Sequence, residues 1–341
     1  MFEIKSIQAD NGDSLLVSYG RADKPYHLLI DGGTAETNLL KVLATHRTQG
    51  RLRLEALVVT HYDLDHIGGI LELLRHPPEW LDIADVWFNG RHHVVESDIL
   101  GHEEGTELSE LIVAKYPWNS AFGGTAVQME AGKVILEGGL VATVLSPDED
   151  RLIALASDWP ADSKPLPDLS DVEIEPDILG RHDTWPPGSF RDLAKEKSSK
   201  DTSPANGSSI ALMLEYEEKR ALLTGDAFSS IVAAAIKSVW TAHRPTVDLF
   251  KLSHHGSKRN TDGGLLGAVD CQRFLFSSNG RTHNHPDAVL VARVLDHSTE
   301  PELIFNYEQE RTSGWRDIPD GWPPYTTRFP EPDTGFVNII L

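Results

Sequence analysis

Ten residues set the strongest limit on what this chain can become. Thr60-His61-Tyr62-Asp63-Leu64-Asp65-His66-Ile67-Gly68-Gly69 leaves the short apolar run EALVVT of residues 55–60. Four side chains within six residues, His61, Asp63, Asp65 and His66, are imidazoles or carboxylates. Nitrogen and oxygen donors so grouped suit zinc, manganese or iron. A strand buried on both faces would end at His61 and deliver the group into a loop. His66 would then start the next helix, and Gly68 and Gly69 would let backbone approach closely. Asp65 as a helix cap and His61 as a surface histidine would explain single residues, but not four together.

Three later segments add donors of the same kind. Leu222-Leu223-Thr224-Gly225-Asp226 is a strand that ends in a Gly-Asp turn, a weak signal alone. Leu252-Ser253-His254-His255-Gly256-Ser257 carries two adjacent histidines, which point different ways on an extended chain, so that one can bind metal while the other faces substrate. Thr282-His283-Asn284-His285-Pro286 would be an ordinary surface loop if it stood by itself. Together, His61, Asp63, Asp65, His66, Asp226, one histidine of the His254-His255 pair and one of His283 and His285 make seven candidate ligands, about what two metals sharing one carboxylate require. Asp31, His61, Asp226 and His254 each stand at or just after the end of an apolar strand, and strand ends on one sheet edge bring distant residues into one cleft.

The rest of the chain supports a mixed α/β reading. Strands are expected over Phe2–Ile7, Ser14–Tyr19, His27–Ile30, Ser209–Tyr216, Arg220–Thr224, Val247–Leu252, Arg273–Phe276 and Gly335–Ile340. Helices are expected over Asn38–His46, Leu71–Arg75, Glu107–Lys115, Ile231–Trp240 and Pro286–His297, with two strands around the turn at Glu137-Gly138-Gly139. The chain of 341 residues reads as a single domain over 1–341, with a C-terminal extension at about 300–341. Between 148 and 205 the composition shifts to Pro, Asp and Ser, which predicts a surface insertion beside the cleft.

Charge and composition narrow the function. A net charge of −21 argues against a passive nucleic-acid coat, which needs a basic face. Lys251, Lys258, Arg259, Arg281 and Arg293 would either form a local basic strip or balance nearby acids. The lone Cys271 excludes a disulfide framework and a cysteine zinc site. No apolar run reaches a membrane span, and the N-terminus lacks a secretory pattern, so a cytoplasmic location without membrane association is expected.

The motif order HxDxDHxGG, LLTGD, SHHGS and NHP resembles the metallo-β-lactamase superfamily, in particular the metallohydrolase domain attached to the competence protein ComEC. NGDSLLV at 11–17, LLIDGG at 28–33, LSP at 145–147 and NGSSIALMLEY at 206–216 extend the likeness. The resemblance implies an αββα sandwich with a dinuclear metal site at one edge, holding two divalent ions, zinc or manganese. His61 and Asp63 would bind the first metal, Asp65 and His66 the second, and Asp226 both. The usual motif is HxHxDH; here Asp63 stands at its second histidine, which makes the site harder and favours manganese. The middle-region metal histidine of other members has no match, and Asn206 stands near its place. His255 and His285 would supply the missing ligands, and Asp31 would hold a ligand or loop in place. The chain lacks ComEC's many membrane spans and resembles a free-standing relative.

The chemistry implied is hydrolysis by hydroxide made available near neutral pH between two cations. Asp65 and His254 would be the catalytic side chains, with His254 serving the developing oxyanion or the leaving group. A phosphodiesterase or nuclease acting on a nucleic acid or nucleotide is the leading expectation. A lactone or ester hydrolase of the same fold is the alternative. A non-catalytic partner-binding member is the third, against which the intact ligand set argues.

Overall fold

The computed structural model describes residues 1–35, 37–90, 93, 103–159, 185–281 and 284–341. Its strands follow from side chains that alternate between two apolar environments. Leu15, Val17, Leu28 and Ile30 face one cluster of buried residues, while Leu16 and Leu29 face another. The same switch runs through Leu212 and Leu214 against Ala211 and Met213, and through Leu249 and Leu275 against Phe250 and Phe274. A period of two with apolar residues on both faces means that each sheet is covered on both sides.

The first sheet has six strands in the order Phe336–Ile340, Phe2–Ile7, Leu15–Arg21, Lys24–Ile30, Ala56–Val58 and Val86–Trp87. The second has eight: Thr326–Arg328, Glu302–Phe305, Arg273–Phe276, Leu249–Lys251, Lys219–Leu223, Ala211–Tyr216, Val141–Ser146 and Lys133–Ile135. One cluster lies between the sheets. A second joins the outer face of the first sheet to helices Leu39–Ala44, Leu64–Arg75 and Glu103–Lys115. A third joins the outer face of the second sheet to helices Ser229–Val239 and Ala288–His297. Three interfaces make four layers, helix, sheet, sheet, helix, which is the expected αββα sandwich. No helix among the described residues is long and apolar enough to cross a membrane.

Several elements differ from the sequence reading. The helix expected to begin near His66 or Leu71 begins at Leu64, with Asp63 at its N-cap position, and runs through Gly68 and Gly69. Glycine is required there by contact: a Cβ on Gly69 would fall 2.2 Å from the Gly32 carbonyl oxygen. The C-terminal segment supplies Glu302–Phe305 and Thr326–Arg328 to the second sheet and Phe336–Ile340 to the edge of the first. Within 148–205, helix Glu149–Asp158 is capped by Asp148, and Leu155 and Trp159 are buried against the first sheet's helices. Phe190 and Leu193 pack on the opposite cluster. The remainder of that segment, 160–184, lies outside the described residues, as does His283.

Candidate metal centre

Parallel pairing gathers the site. Strands Lys24–Ile30 and Ala56–Val58 run parallel, so Asp31 and the Thr60-His61 pair leave the first sheet at one edge. Strands Lys219–Leu223, Leu249–Lys251 and Arg273–Phe276 are likewise parallel neighbours. They release Asp226, the His254-His255 pair and Ser277 at the matching edge of the second sheet.

Asp226 is the hub. Its Oδ2 lies 3.4 Å from His66 Nε2, 3.6 Å from His255 Nε2, 3.8 Å from His254 Nε2 and 4.0 Å from His61 Nε2. Asp63 Oδ2 is 3.4 Å from His61 Nε2, and Asp65 Oδ2 is 3.4 Å from His255 Nε2. The Nε2 atoms of His61, His66 and His255, and Asp226 Oδ1, are buried and make no hydrogen bond. Buried polar atoms without partners are costly, and here they face one another. Donors about 2.1 Å from a tetrahedral ion sit roughly 3.4 Å apart, so the observed separations fit bound metal better than hydrogen bonding. His61, Asp63 and Asp226 form one side of the site; Asp65, His66, Asp226 and His255 form the other.

The opposite nitrogen of each ring is anchored. His66 Nδ1 donates to Asp31 Oδ2 at 2.9 Å, and Asp31 also accepts from the Thr60 backbone N–H at 2.8 Å and from Thr60 Oγ1 at 2.7 Å. His61 Nδ1 donates to Thr60 Oγ1 at 3.0 Å, and His255 Nδ1 to the Ser277 carbonyl at 3.1 Å. With Nδ1–H committed, the neutral ring presents a lone pair at Nε2, the form a metal needs. Asp31 thus holds His66 and the His61 loop at once, the part the resemblance gave it.

The two adjacent histidines diverge for a different reason than expected. The chain is not extended there: His254 and His255 adopt φ of +49° and +54°, and Gly256 +100°. This left-handed turn sets the two rings 5.7 Å apart at 81°. His255 is buried, whereas the His254 side chain is 29% exposed. His254 Nδ1 contacts Asn260 Oδ1 at 3.0 Å and Asp201 Oδ2 at 3.5 Å. Asp201 is itself fixed by the amides of Asn206 at 2.7 Å and Asn260 at 2.8 Å.

His285 is buried, with Nδ1 3.8 Å from Asp287 Oδ2 and its ring 6.0 Å from that of His254. The structure does not bring it into the tight group. Among the described residues that group is Asp13, His66, Asp226 and His255, with ligand atoms all within 4.8 Å of one another. Asp13 was not foreseen, since NGDS reads as a turn, and neither was Asp201, which lies in the Pro/Asp/Ser-rich segment. Asp13 and Lys251 are fully buried and form an ion pair. Asp13 also accepts from Ser277 Oγ and lies 3.3 Å from His255 Nδ1.

The electrostatics are those of a carboxylate cage around imidazoles. Burial alone would raise the Asp226 pKa, but the charges of His255, His66 and His254 overcome it and hold the group well below the carboxylate range. Burial likewise opposes charging of His66, and Asp226, Asp31 and Asp65 reverse this, raising its pKa well above that of free imidazole. His254 is pushed up to about 9, against burial, by Asp226 and Asp201. An acidic pocket that draws protons onto its imidazoles draws divalent cations for the same reason.

The basic residues near the later motifs are mostly committed elsewhere. Lys251 is buried against Asp13, and Lys258 pairs with Glu196 at 3.0 Å. Arg293 donates to the carbonyls of Lys258, Thr261 and Glu196. The Lys251–Asp13 pair spans the two sheets. Lys251→Met should therefore cost about 3–5 kcal/mol, because it strands a buried carboxylate. Denaturant unfolding of Lys251→Met, and of the same change combined with Asp13→Asn, checks this. The double variant should regain part of the loss; a single-variant cost under about 1 kcal/mol would mean the pair carries little.

Residues 10–79 match the family profile described as "Metallo-beta-lactamase superfamily". A 78-residue stretch is 37% identical to a hydroxyacylglutathione hydrolase of Photobacterium profundum, covering 23% of this chain and 28% of that protein. The chain thus matches little more than a quarter of that relative's length. Among solved structures, CmlA, a diiron β-hydroxylase from Streptomyces venezuelae, aligns over 99% of this chain and 54% of its own, with 9% identity and a TM-score of 0.40. A protein from Parabacteroides distasonis ATCC 8503 described as "Putative metal-dependent hydrolase" aligns over 96% of this chain and 99% of its own, with 8% identity and a TM-score of 0.32. At these scores neither alignment carries the fold assignment, which rests on the layers and on the matched segment.

Proposed function

We infer that this chain is a metal-dependent hydrolase of the metallo-β-lactamase superfamily and that its substrate is a phosphodiester. The observation that carries the hydrolase reading is the convergence of three buried, unsatisfied Nε2 atoms on Asp226. His61, Asp63 and Asp226 would hold one divalent cation, and Asp65, His66, Asp226 and His255 another, zinc or manganese. Such ions, when bound, supply Lewis acidity toward a phosphoryl or carbonyl oxygen and make water acidic enough to attack near neutral pH.

The chain's own side chains supply orientation and proton handling. Asp31 and Thr60 fix the rings of His66 and His61. Asp13, Ser277 and Lys251 fix His255 from behind. Asp201 and Asn260 hold Nδ1 of the partly exposed His254 and so aim its Nε2 toward Asp226, 3.8 Å away. From there it can give a hydrogen bond or a proton to the leaving oxygen. The phosphodiester choice is supported by that fourth imidazole, by Asp63 in the usual position of a histidine, and by the motif order that resembles the ComEC hydrolase domain.

Acyl hydrolysis is the second reading, favoured by the segment shared with a hydroxyacylglutathione hydrolase. Elemental analysis of purified protein should find about two divalent ions per chain, as a site with a shared carboxylate requires. Finding none, before or after manganese or zinc is added, would remove the metal assignment. Turnover of a chromogenic phosphodiester, with none of lactones or a hydroxyacylglutathione, supports the first reading. The reverse pattern supports the second.

A further inference from the structure

The loop that anchors His255 continues into a second cavity. The Ser277 carbonyl accepts a hydrogen bond from His255 Nδ1, and two residues on Asn279 enters the wall of a space of about 750 Å3. Trp185, Arg281, Asn284, Gln309 and Arg311 also line it. Its position beside the metal-facing residues is fixed from a second direction. The Asn279 backbone N–H donates to the Asp10 carbonyl at 3.0 Å, and the adjoining Asn11 amide donates to Asp65 Oδ2 at 3.3 Å. Asn284 immediately precedes His285, whose ring packs against His254.

Three features define what fits there. The volume lies within the roughly 300–1,000 Å3 of small-molecule sites. In a chain of net charge −21, the described residues of the wall include the Arg281 guanidinium, which is exposed. Among the described residues no carboxylate pairs with Arg281. Finally, Trp185 is 46% exposed yet held in place. A Cβ on Gly314 would lie 2.8 Å from its indole, and its ring meets Trp315 edge-on at 5.1 Å and 82°. A fixed indole with an open side is a stacking surface for a planar ring, and guanidiniums suit phosphate oxygens.

We propose that this cavity binds one nucleotide unit of the substrate, with its base against Trp185 and its phosphate toward Arg281. The proposal rests on the phosphodiester reading above and narrows it to a nucleotide-bearing substrate. An extended polymer gains little here, because the basic residues that would track its backbone are mostly buried or paired within the protein.

Calorimetric titration of the full chain with AMP, CMP, adenosine, ribose 5-phosphate and glutathione tests it. Both mononucleotides should bind, with adenosine and ribose 5-phosphate each weaker by roughly tenfold or more. Trp185→Ala should weaken AMP by roughly tenfold or more and leave ribose 5-phosphate unchanged. Trp185→Phe, which keeps a ring, should restore most of the AMP affinity and guards against a folding artefact. Arg281→Ala should weaken AMP and ribose 5-phosphate but not adenosine. No mononucleotide binding, equal binding of glutathione, or no effect of Trp185→Ala would overturn the proposal. The two readings fail separately. AMP binding without hydrolysis of any phosphodiester leaves the cavity assigned and removes the function. Phosphodiester hydrolysis without AMP binding does the opposite.

Discussion

Asp226→Asn is expected to lower turnover by roughly a thousandfold or more, which at 1.36 kcal/mol per tenfold is about 4 kcal/mol of lost barrier reduction. Asparagine keeps the shape but removes the charge toward which four imidazole Nε2 atoms point, at 3.4 to 4.0 Å. Both candidate metal positions share this carboxylate, so metal content should fall with activity. Folding should be far less affected. Asp226 Oδ1 makes no hydrogen bond that asparagine must reproduce, and the backbone N–H remains held by Ser209 Oγ at 3.0 Å. Metal content, turnover and melting temperature of the variant together check this. Near-normal activity with two ions still bound would show that Asp226 is not shared between them, and a large fall in melting temperature would place its role in folding instead.

The layers were legible because alternation is a direct record of burial. Leu28, Leu29 and Ile30 could be assigned to a strand from their neighbours, and the short run Ala56–Val58 from its apolar character on both faces. Elements with weaker patterns were not. Thr326–Arg328 has three residues with little apolar content, and its strand character comes from pairing with Glu302–Phe305. Gly68 and Gly69 argued for a late helix start, since glycine weakens an isolated helix. The folded chain overrides that propensity by packing Gly69 onto the Gly32 backbone. Phe190 and Leu193 lay hidden in a polar segment because two apolar residues suffice to dock a short helix but not to set a period.

At the site, the ligand types were legible and, Asp31 apart, their supports were not. HxDxDH places its donors within one loop and helix start, so sequence spacing alone groups them. Asp13 is 264 residues from Ser277, which donates to it, and its partner Lys251 sits in the other sheet. No local pattern distinguishes a turn aspartate from one buried against a lysine. Asp201 was likewise unreadable, because its role depends on Asn260 and His254 arriving from a distant part of the chain. The divergence of His254 and His255 was anticipated, but through an extended backbone that the left-handed turn replaces.

His254→Ala and His255→Ala should then separate binding from chemistry. His255 Nε2 is buried, unsatisfied and 3.4 Å from Asp65 Oδ2, with its other nitrogen locked by Ser277, so its loss should reduce metal content. His254 is closer to solvent and its Nδ1 is held by Asn260 and Asp201, so it serves the substrate side. Removing it should lower turnover by roughly two to four orders of magnitude, the usual cost of a lost proton donor or oxyanion partner, while metal content stays near two. Asp201→Asn should give a smaller fall in the same direction, since it withdraws the charge that orients His254 without removing the ring. Metal analysis of the three variants beside their turnover decides the assignment. Metal loss in His254→Ala with retention in His255→Ala would exchange the two roles, and would make His254 the nitrogen donor that completes the His61–Asp63 side where Asn206 stands.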